Sequence, residues 1–422
     1  MKARLSLLKT IMLGSLAFSC TSFADVQQPI IESYAKHAQY LDIKISPEGT
    51  YLASTSRSED GLISLTVLDI KKQEVVSITR GRGKESVSTF NWLNDDRLLI
   101  TMAREVGSFE QPLPTGELIA MNADGSDSTI LTGWRSESGD KRFSQIVDYL
   151  PSDPDAVVVY SVDLTAREPY LDLYKMKVSN GRKSGMGRMP LRRYAGSGAG
   201  VITGTNGNVL AMFNSDPNED NKQTLIVRSS PESDWYTAYE AGAYDPFFQP
   251  LVFLADNKTL VGLSTIETDT QALATFNVDT KKHTVLYAHD KVDVSPIVHV
   301  QNGQVREVQG ASFEYLGIDS VFLDGVQYSE DQKILASLTN TFKGQMVQAT
   351  SSTNDTNQVI FRVGNANNPT VFYLFDKSAR KLVKLAETRP WLKDLTIPKS
   401  QLITYKARDG QEISAVLTLP DG

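Results

Sequence analysis

Short β-patterned runs separated by turn pairs recur along this chain about every 51 residues. That period restricts the fold more than any other feature of the sequence. The first unit shows the pattern. Leu41-Asp-Ile43-Lys-Ile45 alternates apolar and polar side chains and meets a turn at Ser46-Pro-Glu-Gly49. Tyr51–Thr55 follows, Asp60-Gly61 turns again, Leu62–Ile70 returns, and Lys71-Lys-Gln73 leads into Glu74–Ile78. Four strands joined by tight links make one antiparallel meander. Further units start near residues 88, 145, 199, 250, 294 and 347. One meander leaves both faces of its sheet wet, whereas a ring of them covers every face and leaves only short edges. The expectation is an all-β fold, a seven-bladed β-propeller of four-stranded antiparallel meanders over residues 41–387. Two β-sandwiches in tandem would need Greek-key crossovers and longer links than these.

Composition narrows the function. The 422 residues include 43 Lys and Arg against 50 Asp and Glu, with one cysteine and four histidines. A disulfide framework, an iron–sulfur centre and a multi-histidine metal site are therefore excluded at the outset. The net charge of −7 would repel phosphate, so no nucleic-acid partner is expected. No cofactor and no metal are expected either.

Residues 1–24 read as a signal peptide. Lys2, Arg4 and Lys9 make a basic start, Ile11–Phe18 is a short apolar stretch, and Ser22-Phe23-Ala24 offers small side chains for cleavage. The stretch is too short to cross a bilayer, and no second long apolar run follows, so no transmembrane segment is expected. Cleavage after Ala24 would leave a cysteine-free chain starting at Asp25, suited to the periplasm or to secretion. Lipid attachment at Cys20 is the weaker reading, because the bulky Phe18 fits such a site poorly. Residues 25–40 are a segment leading into the propeller.

Local motifs for chemistry are missing. No Gly-x-Ser-x-Gly elbow, dinucleotide loop or phosphate loop occurs, and Gly196-Ser-Gly198-Ala-Gly200 reads as a flexible link. His37, His283, His289 and His299 are scattered and are expected at the surface or at hairpin ends. Asp216-Pro-Asn-Glu-Asp-Asn221 starts like a calcium loop but has Asn221 at the sixth position and Val227 at the twelfth, so it reads as a hairpin tip. Asn354-Asp-Thr-Asn357 is likewise a turn. Asp163, Arg167 and Glu168 could line a pore, but no spacing makes them catalytic. Two insertions stand out, residues 103–115 and the basic stretch 181–200 with Arg182, Lys183, Arg188, Arg192 and Arg193. Trp92, Trp134, Trp235 and Trp391 are expected in blade-to-blade core, with Trp235-Tyr236 and Tyr239 as an open alternative for stacking a ligand. A helix is expected from Ser329, with Ile334, Leu338 and Phe342 on one face and a Ser329–Gln332 capping box. It reads as a packing helix. No catalytic, cofactor-binding or metal-ligating residue is assigned.

Residues 388–422 break the repeat. Thr388–Leu395 leads away, and Gln401–Tyr405, a turn at Ala407-Arg-Asp-Gly410 and the apolar Glu412–Leu419 make a new hairpin. Two strands alone have no independent stability, so this ribbon needs a partner sheet. Here the chain resembles the prolyl oligopeptidase family of serine peptidases, in its dipeptidyl-aminopeptidase and acylaminoacyl-peptidase branch. The segments that carry the resemblance are Ile45–Ala53, Phe90-Asn-Trp92 with Asp96–Leu99, Asn122–Gly125, and above all Ile403–Gly410 with Leu417–Gly422. The resemblance implies that residues 388–422 are the linker and first hairpin of an α/β-hydrolase domain, truncated here. That missing C-terminal domain would be the propeller's partner and would carry the Ser, Asp and His of a peptidase for short peptides. No family catalytic residue maps onto this sequence, so the chain as given is expected to be inactive. It would be the substrate-gating part of an exported serine peptidase. The alternative is a stand-alone periplasmic propeller that binds a peptide or protein partner. A third reading, chemistry within the propeller itself, would need an arginine triad or paired carboxylates converging on the central tunnel.

Overall fold

A computed structural model describes residues 31–419 except 108–109, 138, 140–141, 164, 168–169, 193–199, 217–219, 302, 316, 394 and 396. Residues 1–24, read above as a signal peptide and including Cys20, together with Arg193, residues 196–199 of the glycine cluster, Glu168 and the centre of the 216–221 loop, lie outside the described residues. Seven sheets follow in chain order, each an antiparallel meander. Blade 1 is β1–β4 (Tyr40–Ile45, Tyr51–Arg57, Ile63–Asp69, Glu74–Thr79), and blade 2 is β5–β8 (Glu85–Trp92, Arg97–Arg104, Leu113–Asn122, Thr129–Thr132). Blade 3 is β9–β12 (Phe143–Asp148, Ala156–Val162, Tyr170–Lys177, Lys183–Arg192). Blade 4 is β13–β16 (Gly200–Thr203, Val209–Asp216, Lys222–Val227, Tyr236–Ala241), and blade 5 is β17–β20 (Phe248–Phe253, Thr259–Ser264, Ala272–Asn277, His283–Tyr287). Blade 6 has three strands, β21–β23 (Ser295–Gln301, Gln304–Glu314, Ile318–Phe322), followed by helix α1 (Ser329–Thr341). Blade 7 is β24–β27 (Met346–Ser352, Gln358–Asn365, Asn368–Asp376, Lys381–Glu387). Each blade starts within three residues of a repeat start read from the sequence. The chain is a seven-bladed propeller.

Alternation in the strands is what closes the ring. In β6 and β10 nearly every side chain is covered, because neighbouring blades sandwich these second strands, whereas β11 alternates buried with more open positions. Clusters such as Leu99, Leu118, Val157 and Met176 join blade 2 to blade 3, and Ile202, Leu225, Phe248 and Phe276 join blade 4 to blade 5. Each fully covered side chain of this size contributes roughly 1.5–3 kcal/mol. First strands touch at several seams, β1 and β21 with β24 and β13 with β9 and β17, and so line the inner wall. Blade 1 and blade 7 share no strand. Their seam is held by Ile43, Ile45, Ile360 and Phe372. Four hydrogen bonds add to it: Thr350 Oγ1 to the Ile43 carbonyl (2.7 Å), Ile45 N–H to Ser351 Oγ (2.8 Å), Asn354 N–H to the Pro47 carbonyl (2.7 Å) and Asn354 Nδ2 to Glu48 Oε1 (3.1 Å).

Helix α1 packs Ile334, Leu335, Leu338 and Phe342 on Val359, Phe361 and Val363 of blade 7. It is a packing helix, but the capping box does not form. Tyr328 occupies the cap position, and Gln332 instead donates its Nε2 to the Gln309 and Leu323 carbonyls. The pull of those two buried carbonyls outweighs one exposed N–H. After a short 3-10 turn at Pro390–Leu392, β28 (Ser400–Lys406) and β29 (Glu412–Thr418) pair only with each other among the described residues. The final ribbon does not complete a blade.

Candidate functional site

Strand direction gives the ring two unlike faces. Each first strand runs from the face where the chain enters and leaves, here termed the linker face, to a distal face. On the linker face the two connecting segments are clamped together. Gln39 N–H donates to the Thr388 carbonyl (2.8 Å), Trp391 Nε1 donates to the Ser33 carbonyl (2.9 Å), and Lys36 Nζ sits 4.5 Å from the Trp391 ring centroid.

Ion pairs lie around the linker-side rim. Arg135, between blades 2 and 3, donates Nε to Glu117 Oε1 (2.9 Å), pairs again with Glu117 Oε2, and reaches Glu85 Oε2 (2.8 Å). The hydrogen bond to Glu117 raises the Arg135 pKa above its ordinary value. Arg188 holds Asp172 at 2.7 Å, with Arg142 3.6 Å from the same carboxylate. Large apolar side chains are also exposed on this face. Val106, Leu113, Trp134, Tyr244 and Met346 are exposed there, Tyr244 almost completely at 97%. The insertion at 103–115 supplies two of them. These carboxylates and guanidinia can grip a charged chain end, but they satisfy one another and include no nucleophile.

The distal face is stitched shut by side chains that pass from blade to blade. Asp95 accepts from Ser46 Oγ (2.5 Å) and Glu48 N–H (2.9 Å), Arg97 Nη2 reaches the Val178 carbonyl (3.3 Å), and Asn257 Oδ1 accepts from Thr205 N–H (2.9 Å). Lys44 Nζ donates to Asn91 Oδ1 (2.7 Å), whose Nδ2 donates to Tyr149 Oη (2.6 Å). Burial pushes the Tyr149 phenol up to about 12. Between blades 6 and 7, His299 stacks on Tyr328 at 3.9 Å and approaches Asp331, which Lys377 neutralises.

The histidines correct the sequence reading. Only His37 is exposed. His283 does begin an outer strand after a hairpin, yet its ring is turned inward, edge-on to Phe248. His289 lies against Phe313 and Tyr315, and His299 is buried. Alternating strands at a blade seam cover residues that a surface-strand reading leaves wet. His283 Nε2 lies 3.0 Å from Ser264 Oγ, with Glu267 3.8 Å from Nδ1. This order of serine, histidine and glutamate is not a catalytic triad. Ser264 is fully buried, its hydroxyl donates to the Phe247 carbonyl, and burial lowers the His283 pKa.

Other singled-out residues separate in the same way. Trp92 is buried in the seam and stacks on Tyr51, whereas Trp134 is 69% exposed, contrary to expectation. It sits in the connection between blades, where no neighbouring sheet covers it. Trp235 packs on the blade 3–4 core under the Arg228 guanidinium. Tyr236 and Tyr239 are bonded to Asp279 and to the Pro246 carbonyl, so the three rings form no shared platform. Asp163 closes its own turn through Thr165, and Asp355 does so through Thr353 and Asn357. Among the described residues no group of three or more His, Cys, Asp or Glu could hold a metal ion, and no helix is long and apolar enough to cross a membrane.

Sequence reasoning missed one cluster altogether. Asp148 in β9 is fully buried and accepts from Arg306 of β22, across the ring (2.9 and 3.3 Å), from Thr203 Oγ1 (2.5 Å) and from Leu150 N–H (2.8 Å). Its partners are up to 158 residues apart, so no local motif could announce it.

Dipeptidyl aminopeptidase BIII of Pseudoxanthomonas mexicana is 22% identical over 380 residues, which cover 90% of this chain and 51% of that enzyme. The resemblance to the prolyl oligopeptidase family holds. The fold agrees with prolyl oligopeptidase B from Galerina marginata, solved with a 25-residue macrocyclization substrate (TM-score 0.55, 11% identity, 93% of this chain and 57% of that one). It agrees equally with the Pyrococcus horikoshii acylaminoacyl peptidase (TM-score 0.54, 8% identity, 92% and 59%). No family model matches the chain. The chain spans about half the length of these relatives.

Proposed function

We propose that this chain is the propeller portion of an exported serine peptidase that hydrolyses short peptides, and that its linker face is where an α/β-hydrolase domain docks. The observation that carries this reading is the alignment with a dipeptidyl aminopeptidase along 90% of the chain. Two structural features support it. Exposed apolar side chains gather on the linker face, while the distal face is closed by its own hydrogen bonds. The β28–β29 ribbon leaves from that same face with Ile413, Val416 and Leu419 exposed, 70% for Val416, and a lone two-stranded ribbon requires further strands. Residues 1–24 would direct export to the periplasm or beyond, and the ring would limit entry to small substrates.

The test compares two proteins. One is the 422-residue chain, and the other is the product of any reading frame that continues past Gly422 through a Gly-x-Ser-x-Gly elbow. Both are offered dipeptidyl amides and a serine-directed fluorophosphonate. The longer protein is expected to be labelled and to release dipeptides, and the 422-residue chain to do neither. Turnover and specific labelling of the 422-residue chain would contradict the reading.

A further inference from the structure

The β21–β22 hairpin does not stop at the edge of blade 6: Gly303 and Arg306 reach other blades. In a seven-membered ring blades 2 and 3 lie opposite blade 6, and the hairpin touches both. A Cβ on Gly303 would lie 2.6 Å from Asn91 Cγ, so the hairpin backbone rests directly on a side chain of blade 2. Gly303 has φ of 78°, a conformation that glycine alone adopts without strain. Three residues on, Arg306 reaches Asp148 of blade 3 with both Nη atoms. β22 is the longest strand of the fold at 11 residues, and register shifts at Ile297/Val298 and His299/Val300 bend the hairpin where it leaves the blade. A cleft lined by Leu150, Gly204, Phe253, Gln304 and Arg306 remains beside it.

We infer that the β21–β22 hairpin is a stopper across the distal mouth of the ring, latched by Arg306 on Asp148, so that a peptide reaches the enclosed space only from the linker face. The chemistry of the latch is one-sided. Asp148 is fully buried, and a buried carboxylate requires a charge partner as well as dipolar donors. Thr203 and Leu150 supply the dipoles, and Arg306, with its side chain 17% exposed, supplies the charge. Its planar fork fits the carboxylate with two parallel bonds, which a lysine cannot reproduce. Asn91, held by Lys44 and Tyr149, is the seat on which the tip rests. The route assigned to peptides rests on the proposed function, but the position of the hairpin and the role of the latch do not.

A cross-linking experiment on the full chain, with no catalytic readout, therefore separates the two. Asn91→Cys and Gly303→Cys are combined in a Cys20→Ser background, and disulfide formation is followed by gel mobility under a glutathione buffer. The cross-link is expected to form spontaneously. Arg306→Gln is expected to slow it at least tenfold and Arg306→Lys to slow it less, with far-UV circular dichroism unchanged. No cross-link, although both thiols are titratable after unfolding, would overturn the placement of the stopper. An unchanged rate in Arg306→Gln would overturn the latch. To keep the question open to a second readout, Asn91→Cys alone is treated with a polymer-linked maleimide. Protection in the parent and at least tenfold faster labelling with Arg306→Gln are expected, and equal rates would again overturn the latch.

Discussion

Removing the Phe372 side chain probes the seam at which the ring closes without sharing a strand. Phe372 is 1% exposed in β26 and packs with Ile43, Ile45 and Ile360. A buried phenylalanine cut to alanine costs about 3–5 kcal/mol, from lost transfer energy and the cavity left behind. Here that loss falls on an interface backed by only a few hydrogen bonds. Phe248→Ala is the matched control, because Phe248 is equally buried, packs on Phe276 of its own blade at 5.4 Å, and belongs to the cluster that joins blade 4 to blade 5. Both variants should lose comparable global stability in urea. Native-state hydrogen exchange should separate them. In Phe372→Ala the amides of β1 and β24 should exchange roughly 100- to 1,000-fold faster, since every 1.4 kcal/mol is about tenfold. In Phe248→Ala the largest acceleration should instead fall on the amides around the blade 4–5 seam, those of β13 and β17, with β1 and β24 accelerating less than they do in Phe372→Ala. Identical exchange patterns in the two variants would refute the idea that the blade 1–7 seam is where the ring opens.

Three further outcomes follow from the described contacts. Burial lowers the His299 pKa from its ordinary 6.5, against the opposing pull of Asp331 and Glu307. The unfolded chain then binds a proton that the folded one refuses, so stability present above pH 6.5 is lost as pH falls through 6.5 toward the folded value. His299→Phe, which retains a ring on Tyr328, should flatten thermal stability between neutral and mildly acidic pH. Arg135→Ala leaves the buried Glu117 carboxylate without its cation and should cost about 1–2 kcal/mol, allowing for the partial exposure of Arg135. Adding Glu117→Gln should restore part of it in a urea titration. Gly181→Ala should destabilise more than Gly61→Ala. Both have positive φ, at roughly 1–2 kcal/mol each for an L-residue, but only the Gly181 Cβ would strike a backbone atom, the Leu131 carbonyl oxygen at 2.5 Å.

The repeat was legible because a blade is local. Period-two runs such as Leu41–Ile45 and turn pairs such as Asp60-Gly61 and Asp124-Gly125 fix each meander within about 50 residues of chain. The helix at Ser329 was legible for the same reason, although its cap was not, since Gln309 and Leu323 come from the neighbouring sheet. What the sequence hid is whatever the ring brings together. His283 and His299 look like strand residues of no special placement, yet His283 folds onto Phe248 and Ser264 of its own blade and His299 is buried against Tyr328 and Asp331. Trp134 looks like core and lies exposed on the connection between blades 2 and 3. Asp148 and Arg306 carry no motif at all, because closure of seven blades, and not spacing along the chain, sets them face to face.

The most direct test of the account is a chain ended at residue 398, lacking β28 and β29. If residues 40–387 form a self-sufficient ring and the ribbon belongs to a sheet outside it, the shortened chain should keep its β-sheet circular dichroism. It should also melt within about 2 °C of the 422-residue chain, as expected for removal of exposed residues. A fall of ten degrees or more, or loss of cooperative melting, would show that the ribbon is part of the ring and would contradict the assignment of this chain as a peptidase propeller leading into a second domain.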